Sequence, residues 1–318
     1  MPHSSFNSVP TLFDSIELQI ISGELDSFVG GFVLQLLRTN GAKSGADLGY
    51  THEQGNRLYA FQYKDNSYNY NYMKTKKEKP IILITNDDGI TAPGIKALVQ
   101  AALPFGKVVV VAPDKPQSGM GHAITLGQHL RLTKVHWTDD PTVEAYSCSG
   151  TPVDCVKLAV DKVLHRKPTI CLSGINHGAN HSINVIYSGT MSAALEASIE
   201  SIPSIGFSLL DLSIEADFTA AAHFARIIVE HVLADKKLDK HLCLNVNIPK
   251  VETKMIKGIK MCKQAYAKYD EKFVERTDPH GKKYYWLTGE FVNFDKSKDT
   301  DVWALKNNYV SVVPVQFD

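Results

Sequence analysis

The sequence predicts an α/β fold, a Rossmann-like three-layer sandwich with a mostly parallel sheet, followed by a C-terminal β-rich extension from about residue 250. Two observations predict the sandwich. Short runs of branched apolar residues, such as Ile81–Thr85 and Lys107–Ala112, show no polar alternation, as strands buried on both faces do. Segments with helical apolar spacing alternate with these runs, which places crossover helices between parallel strands. A third observation predicts the extension. Past about residue 250 the helical spacing stops and the chain becomes rich in Tyr and Val between polar loops.

Residues 1–79 stand before this rhythm. They lack a sustained period, and Asn56–Tyr72 is rich in Asn and Tyr, so the segment reads as an N-terminal extension expected to be poorly ordered. Met73, at the head of a basic linker ending in Pro80, reads as an original start residue, with 1–72 upstream of it. Residues 80–318 then form one domain. Ile81–Thr85 opens it as a strand. Ala92–Ala102 is a helix with Pro93 near its start, where proline is tolerated. Lys107–Ala112 is the second strand, ended by Pro113. Val153–Val163 is a helix after Thr151-Pro152, and Thr169–Leu172 is the third central strand. Ser188–Ser201 is a helix with small residues at 193, 194 and 197, followed by the strand Ser204–Ser208. Phe218–Leu233 and Leu242–Ile248 are the next helix and strand. Lys282–Leu287 and Tyr309–Val315 read as strands of an antiparallel appendage with no helix between them, for a second lobe or for exchange with a partner subunit.

Composition bounds the function. The chain has 318 residues, and 34 basic side chains balance 34 acidic ones, which argues against a nucleic-acid coat or an anionic-membrane binder. A small anionic substrate stays open, because a bound cation would supply local charge outside this count. The five cysteines are odd in number and contain no C-x-x-C, so buried thiols in a reducing compartment fit better than a disulfide framework. No apolar run is long enough to span a bilayer, and Phe28–Leu37 lacks the basic flank of a signal peptide.

The chemistry gathers in loops that follow strands. Asn86-Asp87-Asp88-Gly89 puts adjacent carboxylates at the carboxyl end of the first strand, the edge where open α/β sheets bind ligands. Such a pair resists joint ionisation unless a cation compensates it, and carboxylate oxygens suit Mg²⁺ or Mn²⁺. The competing reading, in which either Asp caps the next helix, has equal weight. Ser118 and its glycines follow the second strand and offer a hydroxyl and backbone amides, with Lys115 able to neutralise a phosphate; a plain Pro/Gly turn fits as well. Asn176 follows the third strand with an amide oxygen suited to a hard cation. His177 and His181 read as solvated loop residues. Tyr187-Ser-Gly-Thr190 opens a helix and could hold an anion or serve as an ordinary cap. No P-loop, dinucleotide fingerprint or nucleophile elbow is present. Two carboxylates, a hydroxyl, an amide and helix starts at one sheet edge fit metal-assisted attack of water on a phosphate ester.

These motifs occur in one order, together with Val111-Ala-Pro-Asp114, Ser149-Gly-Thr-Pro152, Asp154 and Asp299-Thr-Asp301. The chain from Pro80 onward thereby resembles the SurE family, the stationary-phase survival proteins, which are metal-dependent nucleoside 5′/3′-monophosphate phosphatases. The resemblance implies that Asp87, Asp88, Ser118 and Asn176 hold one divalent metal per subunit, Mg²⁺ or Mn²⁺, and that the two aspartates carry the catalysis. It implies that Asn86 and Gly89 shape the phosphate site and that Ser188, Gly189 and Thr190 hold the phosphate. It further implies a cytoplasmic homodimer or homotetramer whose C-terminal extension is exchanged between subunits. Lys115-Pro116-Gln117 departs from the more basic or polar residues common in that loop of the family. An exopolyphosphatase with the same metal, or a nucleotide-binding regulatory module without catalysis, are the alternatives.

Overall fold

The computed structural model describes residues 79–317 and, nearer the N-terminus, the backbone of four short strands. The chain divides into two compact units, Met1–Glu78 and Lys79–Asp318. In the first, β1 (Ile16–Ile21) pairs antiparallel with β2 (Val33–Arg38), and β3 (Gln62–Lys64) pairs likewise with β4 (Ser67–Asn69). The order expected of the rest of 1–79, and the start at Met73, fall outside the described residues.

The second unit is built on a nine-stranded sheet. Its strands are β5 (Ile81–Thr85), β6 (Lys107–Pro113), β7 (Leu132–Val135), β8 (Val143–Cys148), β9 (Ile170–His177), β10 (Ser204–Leu209), β11 (Cys243–Ile248), β12 (Ile259–Met261) and β15 (Val310–Pro314). Across the sheet the order is β12-β15-β11-β10-β9-β5-β6-β8-β7. The six strands from β8 to β11 in this order are all parallel, while β7 joins β8 and β15 joins β11 antiparallel, and β12 runs parallel to β15 at the margin. The helices are α1 (Pro93–Ala102), α2 (Pro152–Leu158, continued by a π-helical turn to Leu164), α3 (Gly189–Ile199), α4 (Thr219–Ala234) and α5 (Asp301–Lys306).

Strand alternation explains the three layers. On β5 and β6, Ile82, Ile84, Val108 and Val110 enter a core with Ile95 and Leu98 of α1 and Phe224 and Ile228 of α4. The intervening Ile81, Leu83, Val109 and Val111 enter a second core with Val156 of α2 and Ala193 and Ala197 of α3. Side chains on a strand alternate between faces, so an unbroken apolar run fills both cores at once. Each buried Ile, Leu or Val contributes about 1.5–3 kcal/mol relative to exposure.

The chain runs from β5 outward through β6 to β8, then returns to the other side of β5 as β9 and proceeds outward to β11. The strand order therefore reverses at β5, and ligands of open α/β sheets bind outside the strand carboxyl ends at such a switch. Beside it β9 carries a bulge. Ser173 and Asn176 pair with Gly206 and Ser208, so β9 fits one extra residue into this interval and re-aims Asn176.

The C-terminal region differs in two ways from the sequence reading. The last strand, β15, enters the main sheet against β11 instead of an appendage. A helix, α5, does stand before it, capped by the Thr300 hydroxyl, which accepts from Trp303 N–H. The appendage itself is one long antiparallel hairpin, β13 (Ala267–Thr277) with β14 (Lys283–Asn293), whose side chains are almost all exposed.

Candidate active site

Four loops meet over the switch. The peptide N–H of Ile90 donates to Pro113 O (2.9 Å) and that of Gln117 to Asp87 O (2.7 Å), which ties the β5 loop to the β6 loop. Gly121 N–H donates to Tyr187 O (3.2 Å), tying the β6 loop to the start of α3. The same long loop is pinned farther on, where His122 Nε2 lies 2.9 Å from Glu196 Oε2 on α3 and Thr125 N–H and O–H both donate to Asp154. Asp154 also completes a capping box with Thr151 at the start of α2. Beyond β9, Gly178 N–H donates to Leu209 O and Asp211 O, and Asn180 is held by Asn247, Asn245 and Ser208. Ser182 N–H donates to the buried Asp301 carboxylate, which also accepts from Ala265 N–H (2.7 and 3.0 Å).

These ties assemble a cleft of about 510 Å³ that Asp87, Ser118, Asn176 and Ser188 line at one end. Asp87 is 4% exposed. The Thr190 hydroxyl donates a short hydrogen bond to its Oδ1. Burial, with the adjacent charge of Asp88, pushes the Asp87 carboxyl up from 3.8 to about 6 against the lowering effect of Thr190. Asp88 turns toward β9, where its Oδ2 accepts from His177 N–H (3.2 Å) and lies 3.4 Å from His177 Nδ1. Neither aspartate caps α1. Ala92 is the N-cap and no side chain caps it, which removes the capping explanation for the pair.

The other sequence-predicted residues fall as follows. Asn176 commits its amide nitrogen to Gly178 O (2.7 Å), and its oxygen has no protein partner among the described hydrogen bonds. Asn86 spans its own turn by donating to Gly89 O (2.9 Å), and its Oδ1 is buried without a partner. Gly89 adopts φ +98°, a conformation that L side chains rarely take. Ser188 caps α3 by accepting from Met191 N–H, and Thr190 is fully buried with its hydroxyl committed to Asp87. A Cβ on Gly189 would stand 2.7 Å from the Asp87 Cβ, so the helix start and the carboxylate touch only because this residue has no side chain. Lys115 is exposed and does not line the cleft.

Two histidines depart from the sequence reading. His177 is half-buried against Asp88 and edge-on to Phe218 (4.8 Å), and His181 packs edge-on to Phe291 (5.1 Å), so neither is a solvated loop residue. Burial lowers the pKa of His181, opposed in part by Asp301. Both line the cleft, whose far end is closed by Leu210, Leu212, Tyr269 and Phe291. Sequence reading missed these four, and no local motif marks them.

The donor set has a definite chemistry. No Lys or Arg lines the cleft among the described residues, although the Asp87 carboxylate lines it and Asp88 follows directly in the chain. No cluster of three His, Cys, Asp or Glu is present among those residues, so a cation here would need the mixed set of carboxylate, hydroxyl and amide oxygens. Such oxygens suit a hard divalent cation, and a buried carboxylate raised to about 6 is one that a cation would relieve. All five cysteines are free and buried. No helix among the described residues is long and apolar enough to cross a membrane.

Comparison with known proteins agrees with this architecture. The family model described as survival protein SurE matches residues 82–271. A relative named 5′-nucleotidase SurE from Flavobacterium johnsoniae is 62% identical over 243 residues, covering 76% of this chain and 93% of its own. Another of the same name from Christiangramia forsetii is 60% identical over 242 residues, with 76% and 93% covered. The crystal structure of the SurE protein from Aquifex aeolicus superposes with a TM-score of 0.65 at 40% identity, covering 75% of this chain and 94% of that one. With the family model spanning most of the sheet and the relatives nearly covered end to end, the chain belongs to the SurE family of survival proteins.

Proposed function

We propose that the protein is a metal-dependent 5′-nucleotidase that hydrolyses nucleoside 5′-monophosphates to nucleoside and phosphate, with 3′-monophosphates as further substrates. Residues 80–318 are the catalytic domain and 1–79 an N-terminal extension. The observation that carries this reading is a cleft at the switch point lined by Asp87, next to Asp88 in the chain, with no Lys or Arg among its described lining, in a chain 62% identical to a relative named 5′-nucleotidase SurE. A phosphate ester entering such a cleft needs a cation.

Asp87, Asp88, Ser118 and Asn176 would hold one divalent cation, Mg²⁺ or Mn²⁺. When bound it supplies charge stabilisation at the phosphoryl group and a more acidic water. The protein's own part is positional. Thr190 and the close approach of Gly189 fix Asp87, and the His177 amide orients Asp88, which also aligns the attacking water. Ser188 and the amides of Gly189 and Thr190, at the positive end of α3, hold the phosphate, and Asn86 and Gly89 keep the turn tight beneath it. Water attacks phosphorus in line with the leaving nucleoside oxygen.

The protein works in the cytoplasm as a homodimer or homotetramer that exchanges its C-terminal β-rich region. The exposed Phe273, Tyr285, Trp286 and Leu287 on the hairpin support a subunit contact there. The exopolyphosphatase and the inactive regulatory module are not favoured by the relatives' names. Phosphate release from AMP and from short-chain polyphosphate, with Mn²⁺ present, tests the reading. AMP should be the better substrate; release from polyphosphate alone, or from neither, would refute it.

A further inference from the structure

We propose that His122 and Glu196 are positioning residues for the cation site: their hydrogen bond holds the β6 loop against α3 so that the Ser118 hydroxyl meets the cation. This rests on the nucleotidase reading, in which Ser118 is one of the four residues around that cation.

Nothing local fixes Ser118. The chain from Asp114 to Arg131 joins β6 to β7 without helix or strand, and Ser118 itself is exposed. Gly119 follows at φ +74° with open space where a side chain would stand, so neither packing nor a stiff backbone holds the residue. Met120, Ile124 and Leu126 are exposed as well, which removes apolar burial as the anchor of this stretch. Polar ties remain.

The ties nearest Ser118 are main-chain hydrogen bonds from Gln117 N–H to Asp87 O and from Gly121 N–H to Tyr187 O, and then the side chain of His122. His122 Nε2 lies 2.9 Å from Glu196 Oε2. Its acceptor is held from several sides. Glu196 is 4% exposed, and Lys157 of α2 forms an ion pair with its other carboxylate oxygen, so three elements meet at one charge. The hydrogen bond from His122 is the largest influence keeping the Glu196 carboxyl below its ordinary range. An ionised carboxylate only accepts, so Nε2 carries the hydrogen and donates.

The identity of the helix gives this contact its consequence. Thr190, in the first turn of α3, donates to Asp87, and Glu196 lies about two turns farther along the same helix. One rigid element thus sets the carboxylate and, through His122, the loop that brings the hydroxyl to it. Groups that orient metal ligands from outside the coordination set change affinity by about 10–100-fold when removed.

The side chain of His122 is 36% exposed, so truncating it opens no cavity in the core. Titration calorimetry of Mn²⁺ into the EDTA-treated full chain tests the proposal, together with thermal midpoints measured with and without Mn²⁺. In His122→Ala the dissociation constant for Mn²⁺ should rise about tenfold. The gain in midpoint from a fixed amount of Mn²⁺ should shrink accordingly, and turnover of AMP should recover as Mn²⁺ is raised. His122→Gln keeps an N–H donor near the Nε2 position and should restore most of the affinity. A purely structural role would lower both midpoints together and leave the dissociation constant alone. An unchanged constant in His122→Ala, or a His122→Gln variant as weak as His122→Ala, would overturn the proposal while the nucleotidase reading stands. Failure of the unmodified protein to bind Mn²⁺ and release phosphate would overturn both.

Discussion

The two ends of the cleft are built in opposite ways. The polar end comes from loops that each follow a central strand, and backbone hydrogen bonds between them lock Asp87, Gln117 and Tyr187 into one frame. Its key carboxylate is nearly buried. The aromatic end joins a loop beyond β9 to the foot of a hairpin from the far end of the chain, and much of its surface faces solvent. Chemistry that must place charge to within a fraction of an ångström sits on the rigid strand ends, where positions are inherited from the sheet. Contact that needs only apolar area can sit on a protruding element.

The largest expected effect strikes the polar end. Asp88→Asn should cut turnover by at least about 10²–10³, since it removes a charge on which the transition state depends, while the thermal midpoint stays close to that of the unmodified protein. A fully active, metal-replete variant would break the contrast by showing that the carboxylate pair is ornamental. Gly189→Ala is expected next. Its Cβ would press on Asp87 at 2.7 Å, and overpacking of this kind costs about 1–3 kcal/mol. Thermal melts should show that loss together with reduced turnover on AMP.

The smallest effect concerns the pin on the β6 loop. The hydrogen bond from His122, then the ion pair with Lys157, holds the Glu196 carboxyl below its ordinary 4.5. A depressed carboxylate pKa means that the unfolded chain takes up its proton first. The contribution to stability is therefore complete above about pH 4.5 and is lost as pH falls through the lowered value. Melting temperatures measured from pH 3 to 7 should fall more steeply at the acid end for the unmodified protein than for Glu196→Gln. Parallel curves would show that the pin adds nothing to stability.

The same contrast explains what could be read from the sequence. The polar end was legible because phosphate and metal chemistry demands particular residue types within a few positions of a strand end, as in Asn86–Gly89 and Tyr187–Thr190. The central strands were legible because burial on both faces leaves an unbroken apolar run. By contrast β7 and β8 lie near the sheet margin, where partly buried positions blur any pattern. Helix α5 is six residues long, too short for a periodic signal, and is anchored by tertiary contacts of Asp301. His177 and His181 were misread because Phe218 and Phe291, which bury them, are remote in sequence. Tyr269 and Phe291 carry no local mark at all, since only strand pairing brings them together.

The central claim is that the carboxylate pair, at a cleft lined by no Lys or Arg among the described residues, acts on phosphate through a cation. Phosphate release from AMP by the full chain, measured before EDTA, after EDTA and after restoring Mn²⁺ or Mg²⁺ in excess, tests it most directly. Release should stop with the chelator and return with the cation; undiminished release in excess EDTA would contradict the account.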